Sequence, residues 1–154
     1  MGEKSVYSHL HHICFVTKDI DKAVAHYESL GIGPFHAPPV KPTELTLKGK
    51  PIPLDYFNRT EVLGKMGPIH FQLCQPISGK SPWQEFLDAK GEGVHHIGFI
   101  IDDVEKEMDK FKAAGFEVLL AAKFEGGGGA AYIDISKTGD FYIELIQPPP
   151  GIKD

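Results

Sequence analysis

This chain of 154 residues is short of several things, and each shortage narrows what it can be. It has two cysteines, Cys14 and Cys74, both in apolar stretches. That is too few for a disulfide scaffold and is expected of buried thiols in a reducing compartment. Basic charge is also scarce: 16 Lys and Arg against 21 Asp and Glu leave a net charge of −5. That is the wrong sign for gripping a phosphate backbone, so no nucleic-acid partner is expected. No run of about 18 apolar residues occurs, so no membrane span is expected. The opening MGEKSVYSHL lacks the apolar core of a secretory signal, and Val6 stands where a myristoylation pattern needs Ser or Thr. A cytoplasmic protein is the expectation. What remains, 42 % hydrophobic and 24 % charged residues, is enough for one folded domain over residues 1–154.

What is present is a repeat. LHHICFV (Leu10–Val16) and VHHIGFI (Val94–Ile100) each write a double histidine into an apolar stretch, and their surroundings superimpose at a constant offset of 84. His11 and His12 fall on His95 and His96, Phe15 on Phe99, Asp19 on Asp103, and Gly31 on Gly115. Each copy opens with β-type sequence, crosses an Asp able to cap a helix, and enters an amphipathic helix. Its apolar face is Ile20, Ala23, Val24, Tyr27 and Leu30 in the first copy, and Val104, Met108 and Phe111 in the second. Gly31 and Gly115 stand where a helix C-terminus favours positive φ.

Further strands follow each helix. In the first half ELTLKGKPIPLDYFN is expected to form a hairpin, and GPIHFQLCQP a closing strand ending at Pro76. In the second half the strands are EVLLAA, AAYIDIS and DFYIELIQP, the last ending at Pro148, with turns at Gly126–Gly129 and at KTGD. SGKSPWQEFLDAKGEG (Ser78–Gly93) joins the halves through a short helix opening at Pro82. The expected fold class is α+β, two tandem βαβββ modules over residues 8–77 and 93–149 that share one core.

Strand alternation separates the histidines. His12 and Cys14, like His96 and Gly98, share a face lined by small side chains, whereas His11 and His95 share theirs with Ile and Phe, which belong against the helices. In the closing strands Gln72 and Glu144 each stand four residues before a proline, as repeat equivalents on the less bulky face. A carboxylate within YIELI is costly to bury without a partner. Any one of these polar residues is more often a hydrogen-bonded interior group than a ligand. As a symmetric set of four, His12, Gln72, His96 and Glu144 suit a divalent first-row metal with positions left open for water or substrate.

With HHICFVTKDIDKAVAHYESLG, GEGVHHIGFIIDDVEKEMDKFKAAG and DFYIELIQP in view, the chain resembles the vicinal oxygen chelate superfamily. That group includes glyoxalase I, methylmalonyl-CoA epimerase, extradiol dioxygenases and bleomycin-binding proteins. The resemblance covers roughly Ser8 to Pro148 and implies a curved mixed sheet around a metal-binding cavity. It is nearest to methylmalonyl-CoA epimerase, whose His, Gln, His and Glu ligands match His12, Gln72, His96 and Glu144 in type and order. It implies a divalent ion (Co, Mn, Ni, Zn or Fe), a CoA thioester as small-molecule substrate, and a homodimer. It further implies a proton-transfer enzyme that stabilises an enolate, with Glu144 and an acid/base on a first-half strand as catalytic groups. Counting back from Gln72 puts Asp55 nearest that second position, where the family has Glu; Glu44 and Glu61 are alternatives.

Other features carry two readings each. The EGGGGAA run can form an anion-binding nest or a plain hairpin turn. Lys80, Lys123 and Lys137 can meet CoA phosphates or lie on the surface. His70 can contact substrate or sit at a wet sheet edge. The competing functions are a glyoxalase-I-like lyase acting on a hemithioacetal, an Fe(II) extradiol-type dioxygenase, and a non-catalytic binding protein of the same superfamily.

Overall fold

A computed structural model describes residues 5–135 and 141–153, so the KTGD turn and Lys137 lie outside the described residues. In chain order the elements are β1 (Leu10–Val16), α1 (Ile20–Ser29), β2 (Phe35–His36), β3 (Pro42–Leu47), β4 (Lys50–Ile52), β5 (Phe57–Met66) and β6 (Ile69–Gly79). After these come α2 (Pro82–Lys90), β7 (Gly93–Ile100), α3 (Val104–Ala113), β8 (Glu117–Phe124), β9 (Gly129–Asp134) and β10 (Tyr142–Gln147). The class is α+β with a mixed sheet: β1 pairs parallel with β6, while β5–β6, β8–β9 and β9–β10 are antiparallel. Among the described residues no helix is long and apolar enough to cross a membrane.

The helices begin where the sequence caps them. Asp19 accepts from the Lys22 backbone N–H at 3.1 Å and Asp103 from that of Lys106 at 3.0 Å, each satisfying an N–H that a first helical turn leaves free. A second symmetric contact uses the Gln-Pro pair that ends each closing strand. Ile20 N–H donates to Gln75 Oε1 at 2.9 Å, and Val104 N–H to Gln147 Oε1 at 3.1 Å. Each closing strand thus holds the start of its own module's helix through the Gln that precedes Pro76 or Pro148. The helix joining the modules starts in the same manner, with Ser81 accepting from Gln84 N–H and Pro82 at the first turn.

The chain divides into two compact units, with boundaries inside β1 after His11 and inside β7 after His96. One unit comprises residues 12–38 and 55–96. Its strands run in the order β2-β5-β6-β1-β7. Here α1 lays Ile20, Ala23, Val24 and Tyr27 on Phe71 and Leu73 of β6 and Phe15 of β1. Burying a side chain such as Leu73, fully inaccessible here, contributes about 1.5–3 kcal/mol. The other unit comprises, among the described residues, 5–11, 39–54, 97–135 and 141–153, with strands in the order β7-β10-β9-β8-β3-β4. There α3 packs Val104, Met108 and Phe111 on Ile133, Ile143 and Leu145.

The first module differs from expectation. ELTLKGKPIPLDYFN is not one hairpin: β3 and β4 close at Ile52, and the strand from Phe57 is a separate, ten-residue element pairing with β6. The three strands completing the first βαβββ run are therefore β2, β5 and β6. The β3–β4 hairpin is an insertion that pairs with β8. The repeat offset, 84 at the histidines but 72 at Gln72 and Glu144, falls by about the length of this hairpin. Nor does β6 end at Pro76. It continues to Gly79 because the register shifts between Asn58 and Arg59, a bulge that relieves the ladder where proline has no N–H to give.

Glycine is required at two kinds of place. Gly31 and Gly115 follow their helices at φ +83° and +87°, and a methyl group on either would meet nothing, so conformation alone selects them. At Gly128 a Cβ would collide with the Gln147 carbonyl oxygen, so close backbone approach accounts for that residue of the glycine run. Gly115→Ala should destabilise the protein by about 1–2 kcal/mol through φ alone, read as a lower denaturation midpoint at unchanged m-value. An unchanged midpoint would show that the left-handed turn is not needed.

Glu92 ties the approach to β7 to the end of β1. Its Oε1 accepts from Lys18 N–H at 2.9 Å and from the Thr17 hydroxyl at 3.0 Å, and these bonds hold its carboxyl below the ordinary pKa. With the native pKa the lower one, the unfolded chain binds more protons in acid. The stabilisation is complete above the ordinary carboxylate pKa and is lost as pH falls through the native value. Glu92→Gln should therefore melt below the wild type near pH 7, and the gap should close in acid. A gap independent of pH would remove the ionic contribution.

Candidate metal centre

His12 lies in β1 and His96 in β7, and both side chains are buried, at 2 % and 0 % exposure. Their Nε2 atoms are 3.0 Å apart. That separation suits an N–H···N hydrogen bond, and it would equally let both nitrogens face one bound ion. Neutral imidazoles at that distance share one proton, one nitrogen donating and the other accepting. Glu144, on β10 of the other unit, is itself buried. A carboxylate so placed is costly without compensating charge, and a divalent cation supplies it.

Gln72 stands on β6, the neighbour of β1, where it is register partner to Cys14 and so shares the face of His12. It is 6 % exposed, and its Oε1 has no hydrogen-bond partner among the described residues. Its Nε2 donates to Glu61 Oε2 at 3.3 Å. Glu61 reaches it diagonally from β5, being register partner to Cys74. The Glu61 carboxylate also accepts two bonds from Arg59, at 3.1 and 3.3 Å. The Arg59 guanidinium lies 3.7 Å from the centroid of the buried Trp83 ring.

His95 faces α2, as its place in the strand alternation implies, stacking on Trp83 (5.4 Å, 24°) and meeting the edge of Phe86. The alternation does not isolate it from its neighbour. His95 Nδ1 is 2.9 Å from His96 Nδ1, so the two imidazoles of the second pair communicate directly.

The other sequence candidates lie elsewhere. Asp55 is in an exposed turn between β4 and β5, not in a hairpin strand. Glu44, on β3, is exposed and pairs with Lys123 at 3.2 Å. Lys123 and the glycine turn line a cavity of about 630 Å³ together with Glu44, Asp102, Asp103 and Glu105. Carboxylates outnumber the single lysine there, the wrong balance for the phosphates of CoA. The neighbour of Gln72 that sequence reasoning missed is β5. This strand carries Arg59 and Glu61, which satisfy one another, so hydrophobic periodicity gives no sign of it.

A family model described as the Glyoxalase/Bleomycin resistance protein/Dioxygenase superfamily matches residues 11–133. Among curated proteins the chain is similar to an uncharacterized protein, YqjC, of Bacillus subtilis (strain 168), 24 % identical over 142 residues covering 90 % of this chain and 91 % of that one. Among solved structures it is similar to methylmalonyl-CoA epimerase from Mycobacterium tuberculosis, with TM-score 0.70, 21 % identity, and coverage of 97 % of this chain and 94 % of that one. A variant Streptomyces coelicolor methylmalonyl-CoA epimerase in complex with 2-nitronate-propionyl-CoA also gives TM-score 0.70, at 20 % identity over 96 % of this chain and 99 % of that one. At such identities the likeness of the structures is a likeness of fold.

The orphaned amide oxygen makes a stability prediction. Gln72→Met removes a buried acceptor that lacks a partner, a group costing about 1–3 kcal/mol, and gives up one long hydrogen bond. Metal-free Gln72→Met should therefore melt at or above the wild-type temperature, while its affinity for divalent ions falls. A clear drop in the metal-free melting temperature would show that the oxygen is satisfied after all.

Proposed function

Since the chain belongs to the Glyoxalase/Bleomycin resistance protein/Dioxygenase superfamily, we propose that it is a metal-dependent proton-transfer enzyme that stabilises an enolate, an epimerase of a 2-acyl-CoA thioester such as methylmalonyl-CoA. The observation that carries this reading is the buried His12–His96 pair, whose Nε2 atoms are held 3.0 Å apart. His12 and His96 would each offer an Nε2, Gln72 an amide oxygen and Glu144 a carboxylate oxygen to Co, Mn, Ni, Zn or Fe. That donor set carries a single negative charge, so a divalent ion retains net positive charge and, when bound, stabilises an enolate oxygen as a Lewis acid.

Support for the substrate class comes from solved structures of like fold, among them methylmalonyl-CoA epimerases, one bound to 2-nitronate-propionyl-CoA. A nitronate is a planar anion, as the enolate of a thioester is. Epimerisation takes a proton from one side of the α-carbon and returns it on the other, which needs two acid/base groups. Glu144 is one in this proposal. Asp55 is the other, carried on the turn before β5. Glu61, held by two bonds from Arg59 and one from Gln72, is already committed.

The test is α-deuterium uptake from D₂O by 2-methylmalonyl-CoA, using protein stripped of metal and reloaded with each ion in turn. Loaded wild type should exchange rapidly, and Glu144→Gln should lose at least about 100-fold in rate. Asp55→Asn should retain exchange on one epimer and lose inversion; unchanged inversion removes Asp55 from the pair. Absence of exchange with every ion, together with turnover of a hemithioacetal, would replace the epimerase by a glyoxalase-type lyase.

A further inference from the structure

Ligand atoms are defined by where their protons are, and around this centre the protons are placed by residues that would not touch a metal. We propose that His95 and Glu61 are the positioning residues of the site, His95 acting on His96 and Glu61 on Gln72. The proposal rests on reading His12, Gln72 and His96 as ligands, and it deepens that reading.

The 2.9 Å between His95 Nδ1 and His96 Nδ1 holds one proton when both rings are neutral. If His96 carries it, His96 donates to His95, and the His96 Nε2 is left with a lone pair facing His12. If His95 carries it, the ring proton of His96 moves to Nε2, the atom 3.0 Å from His12 Nε2, and blocks coordination. His95 as acceptor is therefore the arrangement that makes His96 a ligand. The His95 ring is wholly buried and its plane is held by the stack on Trp83 and the edge contact with Phe86; a half-turn of the ring within that plane would set a C–H against His96 Nδ1 and give up the hydrogen bond.

Gln72 poses the same question with an amide. Ionised Glu61 only accepts, so the Gln72 –NH₂ must face it, and the 3.3 Å bond does so. The amide oxygen is thereby turned to the opposite side, where it is buried with no hydrogen-bond partner among the described residues. Arg59 holds Glu61 in place with two bonds, and its guanidinium rests on Trp83. One indole thus carries the supports of both ligands: Arg59, with Glu61 and Gln72 beyond it, and His95, with His96 beyond it.

The experiment is calorimetric titration of metal-free protein with Co²⁺, with the Co²⁺ visible absorption spectrum as a second readout and the metal-free melting curve as a check on folding. His95→Phe keeps an aromatic ring on Trp83 but has no acceptor, and Glu61→Met frees the Gln72 amide to turn. Each should weaken Co²⁺ binding by about 10- to 100-fold. His95→Asn, whose side-chain oxygen replaces Nδ1, should recover affinity to within a few-fold of wild type and restore the spectrum. Variants that fold and bind Co²⁺ as the wild type does overturn the proposal while leaving the metal reading intact. Loss in His95→Phe without recovery in His95→Asn overturns the acceptor role of His95. A wild type that takes up no Co²⁺ overturns the metal reading and this proposal with it.

Discussion

A buried imidazole nitrogen 3.0 Å from another must donate or accept, and His12 and His96 are held under that condition with almost no access to water. Most of the surrounding chemistry answers to it. A proton carried by one nitrogen of such a pair is absent from the other, so the tautomer of each ring is coupled to that of its neighbour. His95 meets His96 at 2.9 Å, Trp83 keeps His95 in place, Arg59 lies on Trp83, and Glu61 joins Arg59 to Gln72. Satisfied polar contacts in low dielectric are strong and directional, and a partly satisfied one is expensive. The Gln72 oxygen, without a partner among the described residues, is therefore the place where the arrangement points outside itself.

The doubled module explains how such a group is assembled at modest cost to the rest of the fold. Both helices start on an Asp cap and on a Gln from the closing strand of the same module, and both end at a glycine with positive φ. These matched devices place β1 and β6 in the first module, and β7 and β10 in the second, with their ligand-type residues on corresponding faces. The β3–β4 hairpin breaks the symmetry of the repeat, and it pairs with β8, a strand that carries none of His12, Gln72, His96 and Glu144.

Much of this was legible in the residues. The offset of 84, the Asp and Gly at the helix ends, and the period-two split of each histidine pair required no contacts to read, because local backbone chemistry and strand alternation determine them. The errors share a cause. The strand β5 was hidden because Arg59 and Glu61 satisfy each other beside Gln72, so no apolar alternation announces it. The continuation of β6 past Pro76 depended on a bulge with β5, and Asp55 fell in a turn because the hairpin ended sooner than its composition indicated.

The opening histidine pairs therefore divide between two kinds of knowledge. Residue type and spacing along single stretches of chain were enough for the strand and helix that open each half, the strands of the second half, the capped helices and the candidacy of His12, Gln72, His96 and Glu144. Folding in three dimensions was needed to bring the two Nε2 atoms to 3.0 Å, to set His95 beside His96, and to orient Gln72 by Glu61. Those are distances between side chains remote in sequence or bent across a backbone, and they are set by pairing register and packing, which no local pattern encodes.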